Sequence, residues 1–478
     1  MKPSKSSVDN NKNNKPANNR NNILSLVAVL ILSFILLVAS ALTGTFMAYP
    51  LLISLILFIT VLCRQGFSLL SLIKMGIAGA RQSQPVVEVL LLIGMLTAVW
   101  MAAGTVPALV YYGTELISPR FFILWAFLLT SVVSVLTGTS FGATGTIGIA
   151  LMVIARSSDR DGVLTPVAGA IIAGAFVGDR CSPMSSSAHL VASITHTNLY
   201  NNLRNMVASS VWPLLLSVAF YIALSLVYPV RLSETAITAS LPDFFNLSPI
   251  VLSPAVMLLL LACLRVNVKL AMLASLGIGV AIAHTIQGNS LPNLLQFTLF
   301  GFQLSEPTPL QTILLGGGLL PMAKATLVVL ISTAFSGIFS GSRTLRFVDT
   351  WLRNIRTPSK LKQATVLVST LSNLFGCTQT IGILLTHQIV HSHYSSISPQ
   401  TNTPHNNEQL ALALEDTAVV IAPLIPWNIA GLIPATILSV GPGFIPYAAY
   451  LLLLPLFFIF QRSALSLTND LSSERRRI

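Results

Sequence analysis

A succession of long apolar segments, separated by very few charged residues, restricts this chain to a small set of folds. The first segment, 23–43, has the roughly 20 residues that a helix needs to cross a bilayer. Several others are too short to cross alone, and Gly, Ser, Thr, Pro and Asn fill the gaps between them. Irregular backbone at membrane depth is tolerated only inside protein, so we expect several helices to be broken there. The apolar segments lie at 23–43, 47–63, 86–103, 121–137, 146–155, 166–178, 207–228, 249–264, 268–286, 310–340, 361–376, 379–390, 409–440 and 444–461.

The composition excludes the soluble classes of protein. Of the 478 residues, 53% are hydrophobic and only 9% are charged, whereas a soluble domain carries roughly a quarter charged residues. A soluble enzyme or a nucleic-acid-binding protein of this length would lack a water-facing surface. We therefore predict an all-α polytopic membrane protein with about 10–12 transmembrane helices, several of them discontinuous. The lipid bilayer is its solvent, and neither an enzymatic activity nor a nucleic-acid partner is expected.

The basic residues predict how the chain is oriented. The net charge is +12, and Lys and Arg concentrate in four groups, at 1–22, 64–81, 343–362 and 462–478. Because basic loops stay on the cytoplasmic side, all four groups are predicted to be cytoplasmic, with both termini on the cytoplasmic side of the cell membrane. The segment 391–408 contains neither Lys nor Arg and is predicted to lie outside. The first apolar segment is interpreted as an uncleaved span because it exceeds the apolar core of a signal peptide.

One nine-residue segment occurs twice. Phe141–Ile149 reads FGATGTIGI and recurs 234 residues later as Phe375–Ile383, FGCTQTIGI, with seven of nine positions identical. Each copy is followed by an acidic residue and then by a polar break that contains proline, which indicates an internal duplication. The first copy leads into a charged segment at 156–161 that is read as cytoplasmic, and the second leads into 391–408. The copies are therefore predicted to be inverted repeats, an architecture of secondary transporters.

The predicted organisation follows from this duplication. A cytoplasmic polar tail, a leading transmembrane hairpin with a cytoplasmic loop, the first repeat, connecting spans, the second repeat and a cytoplasmic basic tail follow in order. Their bounds are 1–22, 23–84, 85–230, 231–309, 310–461 and 462–478.

Few ionisable residues lie inside the apolar segments, and such residues are expensive enough there to suggest a function. Asp179 precedes the Ser-Pro break of the first repeat, and Glu415 and Asp416 occupy the matching place in the second. Carboxylates combined with hydroxyl and carbonyl oxygens suit Na⁺, and they also carry protons. Two structural alternatives stay open: Asp179 pairs with the adjacent Arg180, or the second acidic pair lies beyond the lipid.

Other residues are candidates for the same site. Adjacent side chains on a helix diverge, so one of Glu415 and Asp416 is expected to line the cavity, and Asp416 could cap the break through backbone N–H groups. Lys324 is a candidate charge partner of a buried carboxylate. Threonine hydroxyls could bind the ion or could instead bond to helix carbonyls. No metal beyond the transported Na⁺ and no cofactor is expected, and the chain has no phosphate-binding loop motif. The remaining candidate ligands are Ser182, Thr144, Thr146, Thr378, Thr380 and Asn428.

Three stretches resemble the most characteristic segments of the NhaC-type Na⁺/H⁺ antiporter family. They are GTSFGATGTIGIALM (138–152), GDRCSPMSSSAHLVAS (178–193) and LEDTAVVIAPLIPWN (414–428), within a resemblance that spans roughly 85–440. The resemblance implies exchange of Na⁺ for H⁺, with some relatives exchanging small carboxylates or amino acids. By its position in the family motif, it also favours Glu415 over Asp416 as the ligand or proton carrier. Where the antiporters often read SPLSDTTNL, Ser186 and His189 replace an Asp and an Asn, which removes one candidate cation ligand.

The sequence therefore predicts a secondary antiporter in which Na⁺ and H⁺ compete for buried carboxylates at the interface of two repeats. The alternative is an exchanger of a small organic acid or amino acid coupled to Na⁺ or H⁺. The Ser-rich segment 185–187 and the N-termini of broken helices could hold a substrate carboxylate in that case. Assembly as a homo-oligomer is left open.

Overall fold

The computed structural model describes residues 20–116, 119–156, 162–229, 241–264, 266–303, 317–342, 344, 352, 355, 357–397 and 403–460. These residues are nearly all helical, which confirms the predicted all-α membrane fold. Most of the N-terminal tail, most of the basic loop 343–356 and the C-terminal tail lie outside the described residues.

The helices are numbered here in chain order. The described residues include two wider π-helical turns, Thr144–Gly148 inside α7 and Glu415–Val419 directly after α17. The helices are α1 Arg20–Thr43, α2 Ala48–Arg64, α3 Leu69–Gln82, α4 Gln84–Ala102, α5 Thr105–Leu116, α6 Phe122–Thr137, α7 Ser140–Arg156, α8 Leu164–Cys181, α9 Ser186–Thr195, α10 Leu199–Val227, α11 Ser253–Cys263, α12 Val268–Thr285, α13 Leu291–Phe300, α14 Leu319–Gly341, α15 Pro358–Gly376, α16 Gln379–Ile397, α17 Thr403–Leu414, α18 Ile429–Ile437 and α19 Ala449–Phe460.

Helix length and composition support several membrane crossings. Among the described residues, five helices are long and apolar enough to cross alone, and α17 with α18 forms a further candidate bent by 50°. Shorter apolar helices of 10–17 residues accompany them. The chain is thus a multi-pass membrane protein, and the count of ten to twelve spans stays a prediction. The five long helices are α1, α4, α8, α10 and α14.

The duplication appears in the order of the helices. In the first repeat, α6, α7 and α8 precede a break, the short helix α9 and then α10. In the second repeat, α15, α16 and α17 precede a break, the short helix α18 and then α19. In both repeats the third helix lies against the first. In the second repeat, for example, the hydroxyls of Ser369 and Thr417 are 2.8 Å apart. The break follows Asp179 by three residues in the first repeat and Asp416 by nine in the second.

A glycine brings the first and third helices of the first repeat into backbone contact. A Cβ atom on Gly178 would lie 2.0 Å from the carbonyl carbon of Ser134, so no other residue fits there. The Ser134 hydroxyl in turn donates to the carbonyl of Ala175. This close approach holds Asp179, the next residue, beside the break between α6 and α7.

The second copy of the repeated motif reverses the chain, and this corrects one topology prediction. Cys377 adopts a left-handed conformation with φ of 51°, and Thr378 Oγ1 accepts the N–H of Ile381 at the start of α16. As a result α15 and α16 run antiparallel, with Thr365 Oγ1 3.1 Å from the hydroxyl of Tyr394. The described parts of 343–362 and 391–408 lie at the same end of this hairpin, so placing them on opposite sides was wrong.

Contacts at the two ends of helix α10 indicate how the two repeats are arranged. The open end of each repeat is the end opposite the turn between its first two helices. Near the start of α10, Asn201 Nδ2 donates to Glu408 Oε1 at 3.2 Å, at the open end of the second repeat. Near its end, Ser225 Oγ accepts the N–H of Leu124 at 3.2 Å, at the open end of the first repeat. A separation of 24 residues corresponds to about 36 Å along a helix. These contacts support inverted repeats, which stay a prediction.

Cysteine labelling tests the arrangement. In a background without native cysteines, Ser359→Cys and Ser392→Cys should react with an impermeant maleimide from one side of the membrane, because both lie at the open end of the second repeat. Gly441→Cys should react from the other side, because the neighbouring Gly443 lies against Thr165 at the open end of the first repeat. All three positions are exposed. Labelling of all three from one side would exclude inverted repeats.

Candidate functional site

The helix ends of the two repeats meet at a buried cluster of four charged residues. Asp179 and Arg180 lie in the last turn of α8, and Glu415 and Asp416 open the π-helical turn after α17. None of the four is more than 5% exposed. The charges of Asp179, Asp416 and Arg180 all act on Glu415. The structure therefore brings together the acidic residues that the sequence analysis singled out in both repeats.

Asp179 is held by both repeats. Its Oδ2 accepts a hydrogen bond of 3.0 Å from Gln379 Nε2, at the start of α16, and its carboxylate also accepts the backbone N–H of Ser140. Its carbonyl oxygen accepts the hydroxyls of Ser185 and Ser187, the latter at 2.7 Å. The break between α6 and α7 and the break after α8 thus supply donors that fix this residue in place. Sequence reasoning missed Gln379.

Arg180 forms its ion pair across the repeats with Asp416. The expectation that it could pair with its neighbour Asp179 is not what the structure shows. The guanidinium is fully buried and also donates to Ser209 Oγ at 2.7 Å and Ser210 Oγ at 2.5 Å, both on α10. A buried guanidinium needs such partners because it cannot lose its charge.

The role predicted for Asp416 is corrected by these contacts. Rather than accepting backbone N–H groups, its carboxylate accepts Arg180 and, at 3.3 Å, the hydroxyl of Ser209. It is 1% exposed, so it does not face the exterior solvent. Asp416 is therefore already neutralised by a protein cation.

Glu415 is the exception in this cluster. It is fully buried, and within the described part of the chain neither carboxylate oxygen has a hydrogen-bond partner. Buried polar groups without partners are rare and call for an explanation. A carboxylate in such surroundings is stable only if it carries a proton or meets a cation. The side chains of Glu415 and Asp416 point in different directions because the two residues are adjacent on one helical turn.

The threonines of the two motif copies differ. Thr144 and Thr146 are buried, and their hydroxyls donate at 2.7 Å to the carbonyls of Ser140 and Gly142. This is the helix bonding weighed as the alternative to ion binding. Thr378 caps α16, as described above. Thr380 is exposed, so its prediction as a ligand in a buried site is wrong for this structure.

Two further candidates stabilise the breaks. Ser182 Oγ donates to the carbonyl of Val135 at 2.7 Å. The side chain of Asn428 accepts the N–H of Ala430 at the start of α18 and donates to the carbonyl of Asn373 at 3.0 Å. Both side chains connect a broken helix to a neighbouring one. Neither forms a hydrogen bond with the side chain of Asp179 or Glu415 among the described residues.

Lys324 does not belong to the cluster. It is exposed on α14, and the two ion pairs found among the described residues are those of Arg180 with Asp416 and of Lys269 with Glu88. The prediction of Lys324 as a charge partner is therefore wrong, and Arg180 takes that place.

The residues that depart from the antiporter motif lie at exposed positions. Ser186 opens α9 and is exposed, and so is His189, whose Nδ1 lies 2.7 Å from the carbonyl oxygen of Ser185. The flanking serines face inward and hold Asp179. The loss of an Asp at position 186 thus leaves the buried carboxylates in place.

Comparisons with known proteins point to one family. The model of the Na⁺/H⁺ antiporter family matches residues 174–461, which include all four charged residues of the cluster. The Na⁺/H⁺ antiporter NhaC of Alkalihalophilus pseudofirmus is 29% identical over 78% of this chain and 80% of its own length. The malate-2H⁺/Na⁺-lactate antiporter of Bacillus subtilis is 27% identical over 80% and 82%. The arginine/ornithine antiporter ArcD of Halobacterium salinarum is 28% identical over 78% and 77%.

Proposed function

Because this chain belongs to the Na⁺/H⁺ antiporter family and is of its NhaC type, we propose that it exchanges Na⁺ for H⁺ across the cell membrane. In this proposal the two ions compete for Asp179 and Glu415, one carboxylate from each repeat. The chain is a transporter rather than an enzyme, so an ion gradient supplies the free energy.

The observation that carries the proposal is the Glu415 carboxylate, buried without a hydrogen-bond partner and within electrostatic range of Asp179. Burial in apolar surroundings makes any carboxyl group bind a proton more tightly than it does in water. A cation that enters between two such groups offsets the same desolvation by direct coordination. Protons and Na⁺ then exclude one another, which is the requirement for coupled exchange.

The ion pair of Arg180 with Asp416 completes this mechanism. Because the pair is internally neutral, the cluster changes charge only through Asp179 and Glu415. Arg180 and Asp416, the residues adjacent in sequence to these carboxylates, contact Ser209 and Ser210 near the middle of α10. A site at the midplane between inverted repeats is open to alternating access when one repeat moves against the other.

Exchange of an organic acid or amino acid is the second candidate, because two relatives are named for malate and lactate or for arginine and ornithine. A substrate carboxylate would need free donors. Both terminal nitrogens of Arg180 already donate to protein groups, and the hydroxyls of Ser185 and Ser187 already donate to the carbonyl of Asp179. Among these groups the single Nε–H of Arg180 is left without a partner, which is too few donors for a carboxylate beside three protein carboxyl groups. The cluster therefore favours a cation.

We also propose that both termini are cytoplasmic. Three contacts support this by gathering the basic groups at one end of the molecule. Gln65 Nε2 lies 3.3 Å from Ser25 Oγ, Met75 lies against Gly341, and Lys362 Nζ lies 5.5 Å from the ring centroid of Phe458. Arg156, whose guanidinium donates to the carbonyl of Leu438, lies at the opposite end and is then external, although it was first read as cytoplasmic. Residues 157–161 lie outside the described residues.

Exchange in everted membrane vesicles tests the function. With an imposed pH gradient, added Na⁺ should dissipate the gradient only in vesicles that contain this protein, and an equal concentration of K⁺ should not. Malate, lactate and arginine are added in separate assays without Na⁺. Dissipation by one of these solutes, with no response to Na⁺, would transfer the assignment to the organic-solute exchanger.

A further inference from the structure

Gln379 connects the carboxylate of the first repeat to the π-helical turn of the second. Its Nε2 lies 3.0 Å from Asp179 Oδ2 and 3.2 Å from the carbonyl oxygen of Val419, the last residue of the turn that begins with Glu415. The matching position in the first motif copy is Gly145, which has no side chain. The bridge therefore exists once, between the carboxylate of Asp179 and the backbone of the turn that contains Glu415.

The chemistry of its partners fixes which way the amide faces. A carbonyl oxygen and an ionised carboxylate can only accept hydrogen bonds, and the NH₂ group has two hydrogens to give. Both are used here. The amide oxygen Oε1 accepts no hydrogen bond from the described residues, so it is available for another partner.

A bound cation is incompatible with this arrangement. A cation at Asp179 would face the positive end of the amide dipole and compete with an N–H for the same carboxylate oxygen. Half a turn about the last side-chain bond exchanges Nε2 with Oε1. That turn offers the cation an amide oxygen and also releases the carbonyl of Val419. Hard cations such as Na⁺ select carboxylate, amide and carbonyl oxygens of this kind.

We propose that Gln379 is a specificity-determining residue whose amide turns over when Na⁺ replaces protons in the cluster. Its NH₂ group holds Asp179 and Val419 together when no cation is bound. Its Oε1 becomes a Na⁺ ligand, together with the carboxylates of Asp179 and Glu415, when the cation enters. This inference rests on the proposed Na⁺/H⁺ exchange and adds the residue that senses the cation.

The experiment measures Na⁺ binding by the purified full chain in detergent, through the rise in Tm with Na⁺ concentration, which reports affinity directly. Gln379→Leu removes both functions of the amide and should raise the half-saturating Na⁺ concentration roughly tenfold or more. Gln379→Asn keeps a shorter amide and should recover part of the affinity. The matched control is Gln287→Leu, because Gln287 Nε2 also bridges two carbonyls, of Ala103 and Asn246, away from the cluster. The control should leave Na⁺ affinity unchanged.

A purely structural bridge gives a different result. In that case Gln379→Leu and Gln379→Asn lower the Tm without Na⁺ but leave the half-saturating Na⁺ concentration at the wild-type value, which would overturn the inference alone. A wild-type protein whose Tm does not respond to Na⁺ would overturn the proposed function and the inference together. If Gln379→Leu does not fold, the affinity of Gln379→Asn decides between the two roles.

Discussion

Asp179→Asn is expected to abolish coupled Na⁺/H⁺ exchange while leaving expression and membrane insertion intact. The amide has nearly the shape of the carboxyl group and can still accept the hydrogen bond from Gln379. It cannot exchange a proton or neutralise a cation. In proteoliposomes, Na⁺-driven proton movement should fall to the level of protein-free vesicles. Because the backbone of Asp179 rather than its carboxylate holds Ser185 and Ser187, the local fold should survive.

Two variants make this result specific. Asp179→Glu keeps the charge on a longer side chain and should retain weak exchange with a shifted pH profile. Asp243→Asn makes the same chemical change at an exposed position and should leave exchange unaltered. Glu415→Gln should also impair exchange if both repeats contribute to one site. Wild-type turnover and pH dependence in Asp179→Asn would show that its carboxylate has only a structural role.

The acidic members of this cluster could be predicted from the sequence for a simple reason. Charged residues are so rare inside the apolar segments that each one stands out, and the duplication places Asp179 and Glu415 in matching positions. The pairing of Arg180 with Asp416 could not be predicted in the same way. It joins residues 236 positions apart. In the sequence, Asp179 is adjacent to Arg180, so its carboxylate was the more obvious partner.

The sequence contained one unused signal for Gln379. The two copies of the repeated motif differ at two positions, and one of them exchanges Gly145 for a polar residue long enough to cross the interface. A polar side chain that interrupts an otherwise repeated apolar motif is a candidate for asymmetric function. Comparing the copies for their differences, as well as their identities, would have identified it.

Lys324 shows why hydropathy alone misplaces a charge. The residue lies near the middle of an apolar segment, but helical periodicity puts Leu320 and Leu327 on the same face, and both are exposed. That face points away from the protein interior, where a lysine extends its amine along the helix toward the interface. The turn at Cys377 was missed for another reason, since non-glycine residues rarely adopt a left-handed conformation.

Asp416→Asn is expected to destabilise the protein by about 3–5 kcal/mol, because it leaves a buried guanidinium without its counter-charge. Arg180 is fully buried and cannot be neutralised by losing a proton. Arg180→Leu should be less severe, since an unpaired carboxylate can be neutralised by protonation. Replacing both residues by leucine should recover much of the lost stability, as removal of a whole buried ion pair often does. Thermal unfolding in detergent measures all three variants.

The protein contains its own control for this prediction. Lys269 and Glu88 form the other ion pair of the described residues, but their side chains are 34% and 42% exposed. Solvent screens such a pair, so Glu88→Gln should change stability far less than Asp416→Asn does. The difference between the two variants isolates the contribution of burial. If Asp416→Asn lowers the Tm no more than Glu88→Gln does, Arg180 has other adequate partners on α10, and its ion pair does not hold the two repeats together.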